Sequence, residues 1–362
     1  MRYGGTMDLS FYKNKKVLIT GHTGFKGSWM SMVLLQLGAV VSGYSLLPAT
    51  KENLYDLCDL DGKMNSYIGD IRDLNRLQEV FNEVKPEIVI HMAAQPIVRE
   101  SYKAPVYTYE TNVMGTVNVL ECVRNTPSVK SVINVTTDKV YKNIEQEKGY
   151  VETDELNGYD PYSNSKSCSE LVTSSYINSF LKEKGIAVTT MRAGNVIGGG
   201  DFAVDRIIPD CIRAAINKEN IIIRNPYAIR PFQHVLEPVI AYLMVAMEQY
   251  NDHSKCGSYN VGPKDEDCWE TGRLTDLFCD KWKEIMSEEV QWVNKHDGGP
   301  HEAGFLKLDC NKISSTFNWK PKWNMECNME KIVEWTKVYL SGDKDAVVSC
   351  MNEQIKEYID EL

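Results

Sequence analysis

A doubly wound α/β fold with a parallel sheet is predicted for the first half of the chain, and two observations predict it. Short apolar runs alternate with stretches of helical period over about the first 193 residues. The runs are apolar throughout rather than at every second position, as expected of strands covered on both faces. Strands separated by helices imply parallel βαβ units. The remainder reads as a smaller mixed α/β part that supplies the second wall of a cleft.

Taken in order, residues 16–20 (KVLIT) read as a buried strand and 21–27 as a glycine-rich turn. Residues 28–37 read as a helix, stopped by Gly38 just past its end, where glycine is favoured. Strands follow at 40–45, 88–92 (IVIHM), 131–136 (SVINVT) and 187–193 (AVTTMRA). Helices are expected at 74–84, halted before Pro86, at 106–124 and at 162–184. After Gly194 the pattern turns irregular. Helices are expected near 207–218, 236–250, 271–286 and 331–340, with short strands at 221–224 and 289–293. The expected division is 1–193 and 194–362, the second part interleaved with the first. The acidic end, 353–362, reads as a solvated terminal helix.

Composition narrows the function classes. The 362 residues carry 40 Lys and Arg against 50 Asp and Glu, a net charge of −10, with 43% hydrophobic and 25% charged residues. That is ordinary globular composition, and the length suggests roughly two domains. Disorder, collagen and coiled coil are poor readings. An acidic chain is also a poor non-specific nucleic-acid binder, because phosphate contacts need clustered Lys and Arg. No stretch approaches the roughly 20 apolar residues of a membrane span. The start, MRYGGTMDLSFYKNKK, has no apolar core of a secretory signal. Ten scattered Cys without a C-x-x-C pair read as thiols in a reducing cytoplasm. No His, Cys and Asp cluster has metal-ligand spacing, so no metal site is expected.

The chemistry-bearing motifs sit where strands end. Gly21, Gly24 and Gly27 lie in GHTGFKG, between the first strand and first helix. Glycines allow a tight turn, and backbone N–H groups at a helix N-terminus suit a pyrophosphate. The second strand ends in Gly43-Tyr44-Ser45, without the carboxylate that binds an adenosine ribose. No Arg follows to hold a 2′-phosphate, although Lys51 is near, so NAD is favoured over NADP. Asp70 suits an adenine amino group, and Asp73 suits a helix N-cap. Gln95 and Arg99 follow the strand at 88–92 and are cleft candidates.

Tyr162 and Lys166 form Y-x-x-x-K, which puts both on one helix face. Asp160 suits the cap and Pro161 the first turn of that helix. A neighbouring ammonium favours phenolate, so Lys166 is expected to lower the Tyr162 pKa. The strand at 131–136 runs into Thr137, Asp138 and Lys139, placing a hydroxyl, a carboxylate and an amine at its carboxyl end. Ligands bind at such strand ends in open α/β sheets. Arg206, Arg230 and His301 are candidates for a diphosphate, since cationic forks suit phosphate oxygens. Arg213 and Arg224 read as structural, His234 as a core residue and His253 as a loop residue.

Five segments together resemble the extended short-chain dehydrogenase/reductase family over nearly the whole chain. They are Gly21-x-x-Gly24-x-x-Gly27, Asp70-x-x-Asp73, His91-Met-Ala-Ala-Gln95, Asn112-Val-x-Gly115-Thr116 and Tyr162-x-x-x-Lys166. The resemblance implies a Rossmann-like NAD-binding part. Its cofactor residues would be Gly21, Thr23, Gly24, Phe25, Lys26, Gly27, Asp70, Ile71, Ala93, Ala94, Asn112, Tyr162 and Lys166.

Within the family the chain resembles the sugar-nucleotide 4,6-dehydratases. Epimerases usually place Ser or Thr with small residues where this chain has an acid/base pair. Most dehydratases carry Asp-Glu there. Asp138-Lys139, GHTGFKGSW at 21–29, RAGNVIGGGD at 192–201 and RPFQHV at 230–235 resemble the branch that acts on CDP-glucose. The implied catalytic set is Thr137, Asp138, Lys139, Tyr162 and Lys166. Thr137 would bond the 4-hydroxyl, Asp138 would be the acid for the C6 oxygen and Lys139 the base at C5. Gln95, Arg99, Asn195, Arg206, Arg230 and His301 would bind substrate. A homodimer or higher homo-oligomer, built through the helices at 106–124 and 162–184, is implied as well. Two rival readings are a sugar-nucleotide epimerase, or a dehydratase for dTDP- or GDP-sugars, and a non-catalytic scaffold that keeps NAD as a structural ligand.

Overall fold

The computed structural model describes residues 7–295 and 305–362. Seven strands form one sheet, parallel throughout: β1 (Lys16–Thr20), β2 (Val40–Ser45), β3 (Asn65–Ile68), β4 (Ile88–His91), β5 (Ser131–Val135), β6 (Ala187–Ala193) and β7 (Ser258–Val261). Their order is β7-β6-β5-β4-β1-β2-β3, so the winding reverses between β1 and β4. That reversal opens a crevice at the carboxyl ends of the strands. β4 and β5 are buried at every residue, the polar His91, Ser131 and Asn134 included.

Helices cover both faces. α1 (Phe25–Gln36) starts inside the glycine turn, three residues before the expected helix. α2 (Leu74–Val84) is capped by Asp73, whose carboxylate accepts from Arg76 N at 3.0 Å, and ends in left-handed Lys85 before Pro86. The expected helix at 106–124 is divided into Pro105–Tyr109, a wide turn at Glu110–Met114, and α3 (Gly115–Arg124). α4 (Pro161–Tyr176) is capped by Asp160, which accepts from Ser163 N at 3.0 Å.

The second part holds α5 (Ile207–Ile216), α6 (Leu236–Asn251), α7 (Thr271–Met286), α8 (Met325–Leu340) and α9 (Lys344–Asp360). α5, α7 and α8 close a core around Ile208, Phe278, Trp282, Met325 and Ile332. Short pairs stitch this lobe: Val196–Ile197 with Gln233–His234, Ile229–Arg230 with Trp269–Glu270, and Ile221–Ile223 with Trp292–Asn294. α6 is buried nearly all round, as a helix apolar on every face must be. It shares the core of β5, β6 and α1, and β7 extends the same sheet, so the chain after Gly194 builds both halves.

One expectation fails outright. The acidic C-terminus is not a solvated helix. α9 buries Val347, Met351, Ile355 and Tyr358, which recur at helical spacing, and Tyr358 OH donates to buried Glu237. The acids occupy the other face. Among the described residues, no helix is long and apolar enough to cross a membrane. All ten cysteines are free thiols.

Candidate active site

The crevice at the strand ends is a cleft of about 920 Å³. Gly21, Thr23, Gly24, Phe25, Lys26, Gly27, Asp70, Ile71, Ala93, Ala94, Gln95, Arg99, Thr137, Asp138, Lys139, Tyr162, Lys166, Asn195, Arg206 and Arg230 all line it. His301 lies outside the described residues. Asn112 is the one described candidate that does not line it. Its Oδ1 accepts from Gln95 N at 2.8 Å, and its Nδ2 donates to Gln95 O at 3.0 Å and to Ser165 Oγ at 2.9 Å. Asn112 therefore clamps the loop after β4 to α4.

The glycine turn needs its glycines. At Gly21 φ is +84°, and a Cβ would meet Ala93 N at 2.8 Å; at Gly27 a Cβ would lie 2.1 Å from Gly21 O. A Cβ on Gly24 would have only Gly21 O nearby, at 3.5 Å, so this position is open to a ligand. The exposed N-terminus of α1 thus offers N–H groups to an anion, and the turn fits a dinucleotide pyrophosphate. Thr23 Oγ1 donates to Leu46 O at 2.8 Å, fastening the turn to the end of β2. There the wall is Ser45, Leu46, Leu47 and Ala49, with neither a carboxylate nor a cation, and Lys51 is not part of it. Asp70 is gripped by Arg72, with Nη2 to Oδ2 at 2.7 Å, and that bond holds its carboxyl below the usual range.

At the end of β5, Thr137 Oγ1 donates to Asp138 Oδ1 at 2.8 Å. Asp138 is 1% exposed, and its Oδ2 has no hydrogen-bond partner among the described residues. Burial raises its pKa against the opposing pull of Lys139, Thr137 and Arg230. A carboxyl biased towards its protonated form, with one oxygen unengaged, suits an acid.

Tyr162 and Lys166 share the cleft, but not in the expected relation. Lys166 Nζ donates to Val135 O at 3.0 Å. Burial pushes the Tyr162 phenol up to about 12, opposed by a hydrogen bond with Thr137. The expected lowering by Lys166 is not found, because burial dominates and the ammonium is turned to the strand end. Burial also pulls the Lys166 amine down to about 8, with Glu170 opposing. A second buried amine, Lys26, lies 5.6 Å from the Tyr242 ring centroid and is pulled down to about 7 by burial, Arg206 and Lys166.

Across the cleft, Arg206 Nη1 donates to Asp201 Oδ2 at 3.0 Å, and its side chain is about one third exposed. Arg230 is buried and bonds Ile229 O at 3.0 Å. Arg213 is structural as expected, tied to the carbonyls of Phe202 and Ala203. Arg224 pairs with Asp205 at 2.9 Å yet also lines the cleft, as do Ile222, Ile223 and Asn225. His234 is fully buried against Trp29 and Trp323. Sequence reasoning missed Glu170 and Arg192 behind the catalytic helix, although Glu170 stands four residues after Lys166. It also missed Tyr242, whose helix carried no motif.

A family model described as GDP-mannose 4,6 dehydratase matches residues 18–332. The chain belongs to this family. It is 45% identical over 359 residues to a CDP-glucose 4,6-dehydratase of Salmonella typhimurium, covering 98% of each chain. It is 26% identical to a CDP-paratose 2-epimerase of Salmonella typhi, covering 89% of this chain and 99% of that one. Among solved structures, dTDP-glucose 4,6-dehydratase of Bacillus anthracis in complex with NAD superposes with a TM-score of 0.76 at 20% identity, covering 92% and 99%. UDP-glucose 4-epimerase of Thermus thermophilus in complex with NAD gives 0.77 at 23% identity, covering 89% and 98%. These structures share the Rossmann-like fold with the family member described here.

Proposed function

We propose that the chain is an NAD-dependent sugar-nucleotide 4,6-dehydratase that converts CDP-D-glucose to CDP-4-dehydro-6-deoxy-D-glucose and water. The observation that carries this reading is the pairing of two acid/base sets at one strand end. Asp138 and Lys139 follow β5, and Tyr162 and Lys166 face them from α4. The 45% identical relative bearing the same activity name supports the nucleotide.

NAD, when bound, would supply the hydride acceptor for C4 and the hydride donor for C6. The glycine turn and the N–H groups of α1 would hold its pyrophosphate, with Asp70 and Ile71 at the adenine end and Ala93 and Ala94 beneath. Tyr162 takes the proton of the 4-hydroxyl, and Thr137 orients that oxygen. The ketone formed at C4 acidifies the C5 proton, which Lys139 removes. Asp138 gives its proton to the departing C6 hydroxyl, which leaves as water. The C5 proton is then restored, and because the hydride lost from C4 is returned at C6, the cycle would consume no NAD. Gln95, Arg99 and Asn195 border the sugar, and Arg206 and Arg230 serve the diphosphate.

The part from Gly194 onward is assigned mainly to substrate and the first 193 residues to cofactor. A homodimer or higher homo-oligomer is inferred as well. Pro105, Val106, Tyr109, Val113, Met114 and Cys168 form an apolar groove, and Val106 is 70% exposed. A cytoplasmic location suits the ten free thiols.

The roles separate in deuterated water. Turnover of CDP-glucose should place solvent deuterium at C5, read by NMR. Lys139→Ala should abolish this exchange while leaving C4 oxidation measurable. Exchange that persists in Lys139→Ala would remove Lys139 as the base.

A further inference from the structure

Behind the catalytic helix lies a polar cluster that the mechanism above does not use. Glu170, on α4 one turn beyond Lys166, is buried and accepts four hydrogen bonds. Thr136 Oγ1 donates at 2.5 Å, Thr190 Oγ1 at 2.7 Å, Arg192 Nε at 3.0 Å and Arg192 Nη2 at 2.9 Å. Arg192, on β6, spends its remaining nitrogen on Tyr141 OH at 2.9 Å and Glu152 O at 3.0 Å. Tyr141 OH in turn donates to Asn260 Oδ1 at 2.6 Å, which reaches β7. Both charged side chains are 3% exposed.

A buried ion pair is weak evidence for stability, because desolvation offsets much of the attraction. What it fixes is geometry. Two successive turns of α4 hold two successive residues of the strand end. Lys166 Nζ binds Val135 O, and Glu170 binds the Thr136 hydroxyl. The next three residues are Thr137, Asp138 and Lys139. Resting on the reading of these side chains as the catalytic set, we propose that the Glu170–Arg192 pair is a positioning device. It locks the strand end that carries Thr137, Asp138 and Lys139 in register with the helix that carries Tyr162 and Lys166.

The pair has a second consequence through charge. The groups acting on Lys166 are Glu170 on its own helix, His91 from β4, and Lys26 from the glycine turn. His91 is buried and neutral at working pH, its pKa pulled down to about 3 by burial. Lys26 opposes a charged Lys166. Glu170 is therefore the group that favours the ammonium. Its loss moves Lys166 towards the neutral amine, and the alkaline limb of C4 oxidation, read from reduced cofactor formed in a single turnover, should move to lower pH.

The test uses the full-length chain with Glu170→Gln and Arg192→Lys, each checked by circular dichroism and NAD binding. Glu170→Gln should lower kcat for the sugar nucleotide by about 100-fold, the scale of a misplacement near 1 Å, with KM changed by no more than about threefold. Its alkaline limb should shift to lower pH. Arg192→Lys keeps the charge but breaks the fork, so it should lower kcat without moving that limb. A folded Glu170→Gln enzyme with wild-type kcat and an unmoved pH profile overturns the proposal, even if its Tm falls. If Glu170→Gln fails to fold, Arg192→Lys with wild-type kcat overturns it instead. Wild-type protein that turns over no sugar nucleotide would defeat the underlying functional reading, which is a different outcome.

Discussion

The wall of the cleft built by β5 and α4 and the wall built by residues 195–230 handle polar groups in opposite ways. On the first, Asn134, Thr136, Lys166 and Glu170 are buried and bonded to distant parts of the chain, with Arg192 of β6 behind them. Asp138 Oδ2 and Asn134 Oδ1 are buried there without a partner among the described residues. On the second, Arg206, Arg213 and Arg224 are about one third exposed and pair with carboxylates, two of them only a few residues away, and Arg230 alone of the four arginines is buried. The difference teaches a division of labour. Chemistry at a reacting carbon needs groups fixed in a low-dielectric setting, whereas a charged diphosphate can be met by adaptable side chains at a wetter rim.

Four predictions sharpen or break this contrast, from the largest effect to the smallest. On the rigid wall, Tyr162→Phe should cut kcat by about 1000-fold, within the usual range for losing an acid/base group, with NAD binding retained by calorimetry. A loss below tenfold would mean that another group takes the 4-hydroxyl proton. Asp138→Asn should lower overall turnover by about 100-fold while leaving C4 oxidation intact, so reduced cofactor accumulates in a single-turnover absorbance trace. Because burial raises the Asp138 pKa, the acid form persists to higher pH than for an ordinary Asp. Activity that needs this proton should therefore fall as pH rises through that raised value, and the alkaline fall should be altered in Asp138→Asn.

On the adaptable wall, Arg206→Met should raise KM for the sugar nucleotide about tenfold, as for loss of one charge-assisted bond, and leave kcat within about twofold. A fall in kcat with unchanged KM would place Arg206 with the chemistry and erase the contrast between the walls.

Legibility in the sequence follows the same contrast. The first lobe is readable because β1, β4, β5 and β6 carry apolar, buried runs, and because caps such as Asp73 and Asp160 act locally, whereas β3, with the sequence NSYI and partly exposed, gives no such run. The glycine turn is readable because φ and close approach dictate glycine at Gly21 and Gly27. The second lobe is harder: its ladders are two or three residues long, and tertiary packing rather than propensity sets them. β7 was missed because its four residues, SYNV, include a serine and an asparagine and make no apolar run. Asn112 is grouped with the cofactor residues by resemblance, and only the coordinates reveal that its amide bonds the Gln95 backbone and Ser165. The C-terminal helix was misread because its acids dominate the composition while a four-residue apolar stripe decides its burial.

The smallest effect lies in the anchor of that helix. Glu237 accepts from Lys322 N at 2.8 Å, Trp323 N at 2.9 Å and Tyr358 OH, and burial raises its pKa to about 7. A carboxyl whose folded pKa is raised stabilises the fold fully below its unfolded pKa of about 4.3, and that contribution is lost as pH rises through the folded value. The Tm difference between wild type and Glu237→Gln should therefore shrink or reverse in favour of the variant between pH 5 and about 8. A difference independent of pH would mean that Glu237 is ionised throughout.

The most direct measurement incubates the purified chain with NAD and, separately, with the CDP-, UDP-, dTDP- and GDP-linked hexoses, and reads the products by NMR. The account predicts a 4-keto-6-deoxy sugar from CDP-glucose, with no net NADH. An epimer, or unchanged substrate from every nucleotide, would contradict the assignment of Asp138 and Lys139 as a dehydrating pair.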